Sequence, residues 1–231
     1  MVVVVTSTFP ETVKTTATDL GHVRSISIES IMALQPTIIV ATDKDMNPEL
    51  LERIKSSGVK AHVFTQEFSA EGAKNLIEDV AKVLGNENYK PLQDKIDNDL
   101  AQVQKLENAP KVLFIYARGA GTLMVAGKNT PVEKAIALAG GENAANEFED
   151  FKPLTPEALI KANPDVILMF TSGLQSLGGP EGVLKIQGIE KTNAGKNKNI
   201  IAMDGQLLSG FGPRTGQAAA ELNKLLTQNA K

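Results

Sequence analysis

One pattern occurs twice in this chain, and it restricts the fold more than any other feature. Glu29-Ser-Ile-Met-Ala-Leu-Gln-Pro36 leads into the apolar run Thr37 to Thr42, and Glu157-Ala-Leu-Ile-Lys-Ala-Asn-Pro164 leads into Asp165 to Phe170. In each copy a glutamate stands seven residues before a proline, and the residues between them fit a short helix. The proline ends that helix, because it lacks an N–H and restricts the residue before it. Self-similarity at long period signals duplicated structural units, and here each half of the chain holds one copy. Continuous apolar strands alternating with helices are the pattern of parallel sheets covered on both faces. The expected fold class is therefore α/β, with two Rossmann-like lobes of parallel sheet.

Between the copies, residues 88 to 108 place Tyr89, Leu92, Ile96, Leu100, Val103 and Leu106 in steps of three and four. That spacing predicts one amphipathic helix, roughly 30 Å long at 1.5 Å per residue, joining the lobes as a strut. The domain organisation expected is an N-terminal lobe over 1–87, a linking helix over 88–109 and a C-terminal lobe over 110–231. In the first lobe, Val2 to Val5 reads as a strand and Ser27 as the cap of a helix over 28–34. Strand 37–42, helix 48–57, strand 59–64 and helix 70–84 follow in α/β rhythm. The second lobe offers strands 112–116 and 123–126, a helix over 131–139, the repeat helix 156–161, strands 166–170 and 199–203, and a closing helix over 215–226. Ser172 to Gly182 and Gly205 to Gly216 are rich in glycine and read as loops. By this count the first lobe is one strand–helix unit shorter than the second, at its N-terminal end.

Composition narrows the function classes. Basic and acidic residues nearly balance, 24 against 27 for a net charge of −3, and no basic patch stands out. Nucleic acid is therefore not an expected partner. There is no cysteine, which removes disulfides, zinc–thiolate sites, iron–sulfur clusters and thiol catalysis together. With only two histidines, a three-histidine metal site is also excluded. No apolar run approaches the roughly 20 residues of a membrane span. Nucleophile-elbow, phosphate-loop and HExxH signatures are all missing, so the chain is not expected to be an enzyme. Arg118-Gly-Ala-Gly121 follows a strand but does not complete G-x-G-x-x-G, and reads as a tight strand-to-strand turn. His62 falls within a strand and reads as structural. His22, between Gly21 and Arg24 in an irregular segment, is better placed to meet a ligand. Arg118 and Arg214 are loop arginines beside glycines, a setting that suits carboxylates or phosphates.

Taken together, TSTFP, GHVRSISIESIMALQPTIIVAT, KVLFIYARGAGTLMVAGKNT, AGGENAANEFEDFKPLTPEAL, TSGLQSLGG and LLSGFGPRTG resemble the haem-binding proteins of bacterial ABC importers. These belong to the helix-linked class of periplasmic binding proteins that also serves siderophores and cobalamin. The resemblance covers nearly the whole chain, and it implies a ligand cleft between the lobes. It also implies a further strand and helix at the start of the family fold, which this first lobe is expected to lack.

Several roles follow from the resemblance. Gly21-His22-Val23-Arg24 stands where the family carries Gly-Tyr-x-Arg, so His22 is expected to be the axial ligand of haem iron in place of the tyrosine. Arg24, Arg118 and Arg214 are expected to meet the propionates, and Tyr116 and Met124 to pack against the haem. Glu29 and Glu157, the repeat-related glutamates, are expected to dock onto the two permease subunits. The function implied is capture of haem, as transported ligand, and its delivery to an ABC permease dimer by a monomeric, periplasmic or otherwise exported receptor. The alternative is a receptor for a ferric siderophore or a cobalamin-like ligand.

Overall fold

The computed structural model describes residues 18, 20, 26–44, 46, 48–121 and 123–229. Val2 to Val5, His22 and Arg24 lie outside them. The chain divides into two compact units, one of residues up to Glu67 with Asn75–Tyr89, the other of Phe68–Lys74 and the remainder from Lys90 onward.

In the first unit, helix α1 (Ile28–Met32) begins at Ser27, whose hydroxyl accepts from the Ser30 N–H at 3.1 Å. This is the expected cap, and it satisfies a backbone donor that a helix start leaves orphaned. Strand β1 (Ile38–Thr42), helix α2 (Pro48–Ser56) and strand β2 (Lys60–Phe64) follow. β1 and β2 pair in parallel, from Ile38 opposite Lys60 to Thr42 opposite Phe64. Ile28, Leu50 and Ile54 form the core of this unit, with Met32, Ile39 and Ala61 packed against them. His62 lies in β2 as expected. Its ring stacks on Phe64 with 6.4 Å between centroids, and its Nε2 is buried with no hydrogen-bond partner. Helix α3 (Ala70–Val83) crosses the boundary, its first turn belonging to the second unit.

Helix α4 (Lys90–Leu100) is shorter than the helix expected over 88–108, about 16 Å instead of 30 Å. The cause lies far off in sequence. Helix α11 (Thr215–Asn229) carries Asn223, which is 2% exposed. Its side-chain amide grips the backbone of Gln104 on both sides, accepting from the N–H at 3.0 Å and donating to the C=O at 2.8 Å. That pairing takes both backbone groups of residue 104 out of the helical ladder. Leu106, the last apolar residue of the periodic run, packs into the core beside Gly140 instead of extending a helical stripe. α11 also lies directly on α4: a Cβ at Gly216 would collide with the carbonyl of Ile96.

The second unit holds a mixed sheet built from β3 (Lys111–Ala117), β4 (Leu123–Ala126), β5 (Glu142–Asn143), β6 (Phe151–Pro153), β7 (Val166–Phe170) and β8 (Ile200–Met203). The strand order is β6-β4-β3-β7-β8, with β5 beside the start of β3. β3, β7 and β8 run parallel, as the unbroken apolar runs predict, whereas β4 runs antiparallel to both of its neighbours, β3 and β6. The link from Ala117 to Leu123 is too short for a parallel crossover, which needs about a dozen residues or more, so β4 must double back. Helices cover both faces. α5 (Pro131–Leu138), α10 (Gly205–Ser209) and α11 bury one face, against Val112, Phe114, Leu168 and Met203. α6 (Pro156–Ala162), α7 (Thr171–Ser176), α8 (Pro180–Val183) and α9 (Asn193–Asn197) cover the other, against Leu113, Ile115, Ile167 and Met169. α7, α8 and α10 occupy the two segments read from sequence as loops.

Candidate ligand-binding site

The C-terminal ends of the parallel strands are where open α/β sheets hold ligands. At that edge of the second unit, strand alternation carries Phe114 and Tyr116 along one face of β3. Phe170, the last residue of β7, lies edge-on to both rings, with centroids 4.7 Å from Phe114 and 6.2 Å from Tyr116. The guanidinium carbon of Arg118 lies 6.0 Å from the centre of the Tyr116 ring. Across the β3–β4 pair, Met124 is the register partner of Tyr116. Phe114 is fully buried, Tyr116 and Met124 are half-buried and Arg118 is exposed. The row thus runs from core to solvent and ends on a cation.

Three of the residues singled out in the sequence, Tyr116, Arg118 and Met124, therefore come together. Arg118 to Gly121 is the expected strand-to-strand turn, with Gly119 at φ +65°. Arg214 is reached along the connection from β8 through α10 to α11, and is half-buried. Phe211 fixes that connection. It is buried at φ +42° and packs on Phe68 with centroids 5.4 Å apart. Thr215 then donates through its N–H and its hydroxyl to the Gly212 carbonyl, at 3.0 and 2.8 Å, just before α11 begins.

The two repeat-related glutamates occupy matching places on their own helices. Glu29 follows the Ser27 cap by two residues in α1, and Glu157 follows a Thr155 cap by two in α6, where the Thr155 hydroxyl accepts from the Ala158 N–H at 3.2 Å. Both carboxylates are exposed, in first turns where the helix dipole favours negative charge. Glu29 is held below the usual carboxylate range by a hydrogen bond from its own backbone N–H, then by the Ser27 hydroxyl and by Arg53. Arg53 forms an exposed ion pair with it at 3.0 Å.

A cavity of about 270 Å³ also opens in this unit, lined by Leu113, Val125, Asn143, Phe148 and Leu159. It lies toward the opposite sheet face, and none of the described candidate residues lines it. Among the described residues, no cluster of histidine and carboxylate side chains suits a metal ion, and no helix is long and apolar enough to cross a membrane. Sequence reasoning missed Phe170, the ring joining Phe114 to Tyr116. The signal was available, because a strand ending in an aromatic at a sheet's C-terminal edge presents it toward a ligand position. It also missed Ser176 of α7, whose segment carries too many glycines to suggest a helix.

Comparison with known proteins identifies the family. The model of the periplasmic binding protein family matches residues 1–207. The periplasmic haem-binding protein RhuT of Roseiflexus sp. RS-1, solved in apo form, superposes with a TM-score of 0.91 at 37% identity, covering 97% of this chain and 88% of that one. An ABC transporter substrate-binding lipoprotein of Bacillus subtilis, YvrC, is 24% identical over 86% of this chain, which spans 64% of that lipoprotein's length. The vitamin B12-binding protein of Vibrio parahaemolyticus is 25% identical over 88% of this chain and 73% of its own. The chain belongs to the periplasmic binding protein family.

Proposed function

We propose that this protein is an exported receptor that captures haem and delivers it to an ABC permease. The observation that carries the reading is the row Phe114–Phe170–Tyr116–Arg118, with Met124 beside Tyr116. Haem is a flat apolar macrocycle with two carboxylates at one edge. Half-buried ring edges and a thioether suit the macrocycle, and an exposed guanidinium suits a carboxylate. Arg214 and Arg24 are the further cations assigned to the propionates, whose burial without partners would be costly. The likeness to RhuT supports haem as the ligand.

His22 is assigned as the axial ligand to iron, on its position between Gly21 and Arg24 in the sequence. Imidazole is a competent haem-iron ligand in both oxidation states. Glu29 and Glu157 are assigned to docking, since like charges on matching helices suit a partner with two-fold symmetry. A cobalamin-like ligand is the second reading, favoured by the likeness to the vitamin B12-binding protein. Calorimetric titration of the full chain with haemin and, separately, with cyanocobalamin tests both readings. Saturable binding of haemin with none of cyanocobalamin is expected. Binding of cyanocobalamin alone would overturn the haem reading.

A further inference from the structure

We propose that Ser176 is a positioning residue whose hydroxyl braces the turn carrying Arg118, and thereby sets where that guanidinium meets the anionic end of the ligand. The inference rests on the reading of Arg118 as an anion-binding residue. Its basis is a hydrogen-bond relay between two segments far apart in sequence. The Gly119 N–H donates to Ser176 Oγ at 3.0 Å, and that hydroxyl donates in turn to the Gly173 carbonyl at 2.7 Å. A serine hydroxyl has a single proton. With that proton committed to Gly173, a lone pair is left for the Gly119 N–H, and the hydroxyl rotor is fixed.

The brace is itself anchored. Gly173 is buried, and a Cβ on it would lie 3.3 Å from the Ala117 carbonyl, so the lack of a side chain lets α7 sit against the end of β3. α7 closes with the Gly178 N–H on the Gln175 carbonyl at 3.0 Å and the Gly179 N–H on the Leu174 carbonyl at 2.9 Å. These are the paired bonds of a Schellman motif, with Gly178 left-handed at φ +83°. Ser176 therefore projects from a closed helix end that is docked on the sheet. Arg118 has no such anchor of its own. It is exposed, makes no ion pair among the described residues, and is followed directly by the left-handed Gly119. Beyond the Tyr116 ring, the direction of the guanidinium depends on the backbone that Ser176 holds.

The test compares the full chain with Ser176→Ala, Ser176→Thr and Arg118→Ala. In ligand-free protein, Ser176→Ala should speed amide exchange at Gly119 and increase the mobility of the Arg118 Nε–H group in nitrogen-15 relaxation. Haemin affinity should fall by about 3- to 10-fold, the worth of one hydrogen bond. Affinity for haem dimethyl ester, which carries no carboxylate, should not change, whereas a general loosening of the site would weaken both ligands. In the Arg118→Ala background the same substitution should cost nothing further, and Ser176→Thr, which keeps the hydroxyl, should retain most of the parent affinity. Equal losses for haemin and its diester, or a full loss added to Arg118→Ala, would overturn the inference. If the parent binds no haemin, the proposed function fails. The Arg118 relaxation then decides the brace by itself, and unchanged mobility in Ser176→Ala refutes it.

Discussion

Replacing Asn223 tests why helix α4 stops at Leu100. The buried amide makes three hydrogen bonds: from the Gln104 N–H at 3.0 Å, to the Gln104 carbonyl at 2.8 Å and to the Ala139 carbonyl at 3.1 Å. Asn223→Ala removes all of these. Each polar group left without a partner in a buried setting costs about 1–3 kcal/mol. Gln104 itself is exposed, so water can reach its backbone and the lower end of that range applies there. The sum is about 3–5 kcal/mol, a large part of the stability of a domain of this size. Asn223→Asp sharpens the test. It keeps an acceptor for the Gln104 N–H but turns carboxylate oxygens toward two carbonyls, so at neutral pH it should be less stable than Asn223→Ala. The folded state then favours the protonated acid, which raises the folded-state pKa of Asp at this site above its unfolded value of about 3.9. Stability of this variant should therefore rise as the pH falls through that raised value. Urea unfolding followed by circular dichroism reads the loss, and hydrogen exchange of peptides spanning 101–110 reports where it occurs. A cost below about 1 kcal/mol for Asn223→Ala, or an Asp variant as stable as the Ala variant at pH 7, would refute the reasoning.

Glu29→Ala combined with Glu157→Ala should leave haemin binding intact and abolish uptake through the permease, measured as haem-dependent growth; undiminished uptake would remove the docking assignment. Arg118→Ala should weaken haemin binding by about tenfold or more, read by calorimetry, because a charge-assisted pair is lost. Lys74 donates to Glu71 and to Asp97, and these hydrogen bonds hold its ammonium above the ordinary 10.5. A raised folded-state pKa means that this contribution is fully present below pH 10.5 and is lost as the pH rises through the raised value. Alkaline unfolding curves of the parent and Lys74→Met should therefore converge above that pH, and a constant gap between them would contradict the assignment.

Local pattern was enough for much of the fold. β7 runs from Val166 to Phe170 as its unbroken apolar run predicts, and both repeat helices start at a hydroxyl cap two residues before the glutamate. Where the reading departed from the structure, the deciding contact was distant. Val103 and Leu106 continue the helical spacing of α4, yet an asparagine 119 residues downstream removes Gln104 from the helix. In the segment after β7, Gly173, Gly178 and Gly179 suggested a loop. There Gly173 permits close approach of α7 to β3, and Gly178 closes the helix end. The association of Tyr116, Arg118 and Met124 was legible in part, because a short turn between two apolar runs brings Tyr116 opposite Met124. Phe170 could be placed at the end of its strand but not beside Tyr116, since only the order of strands in the sheet sets β7 beside β3. His22 and Arg24 lie outside the described residues, so their assignment stands on sequence position.

The visible absorption spectrum during haemin titration tests the central claim most directly. The parent should give a saturable, shifted Soret band with histidine-type features that are lost on acidification, as the imidazole takes a proton. His22→Ala should lose those features, and His22→Tyr should replace them with a ferric tyrosinate-like spectrum. A titration without a saturable Soret change would contradict the haem reading, and variants whose spectra match the parent would remove His22 as the ligand.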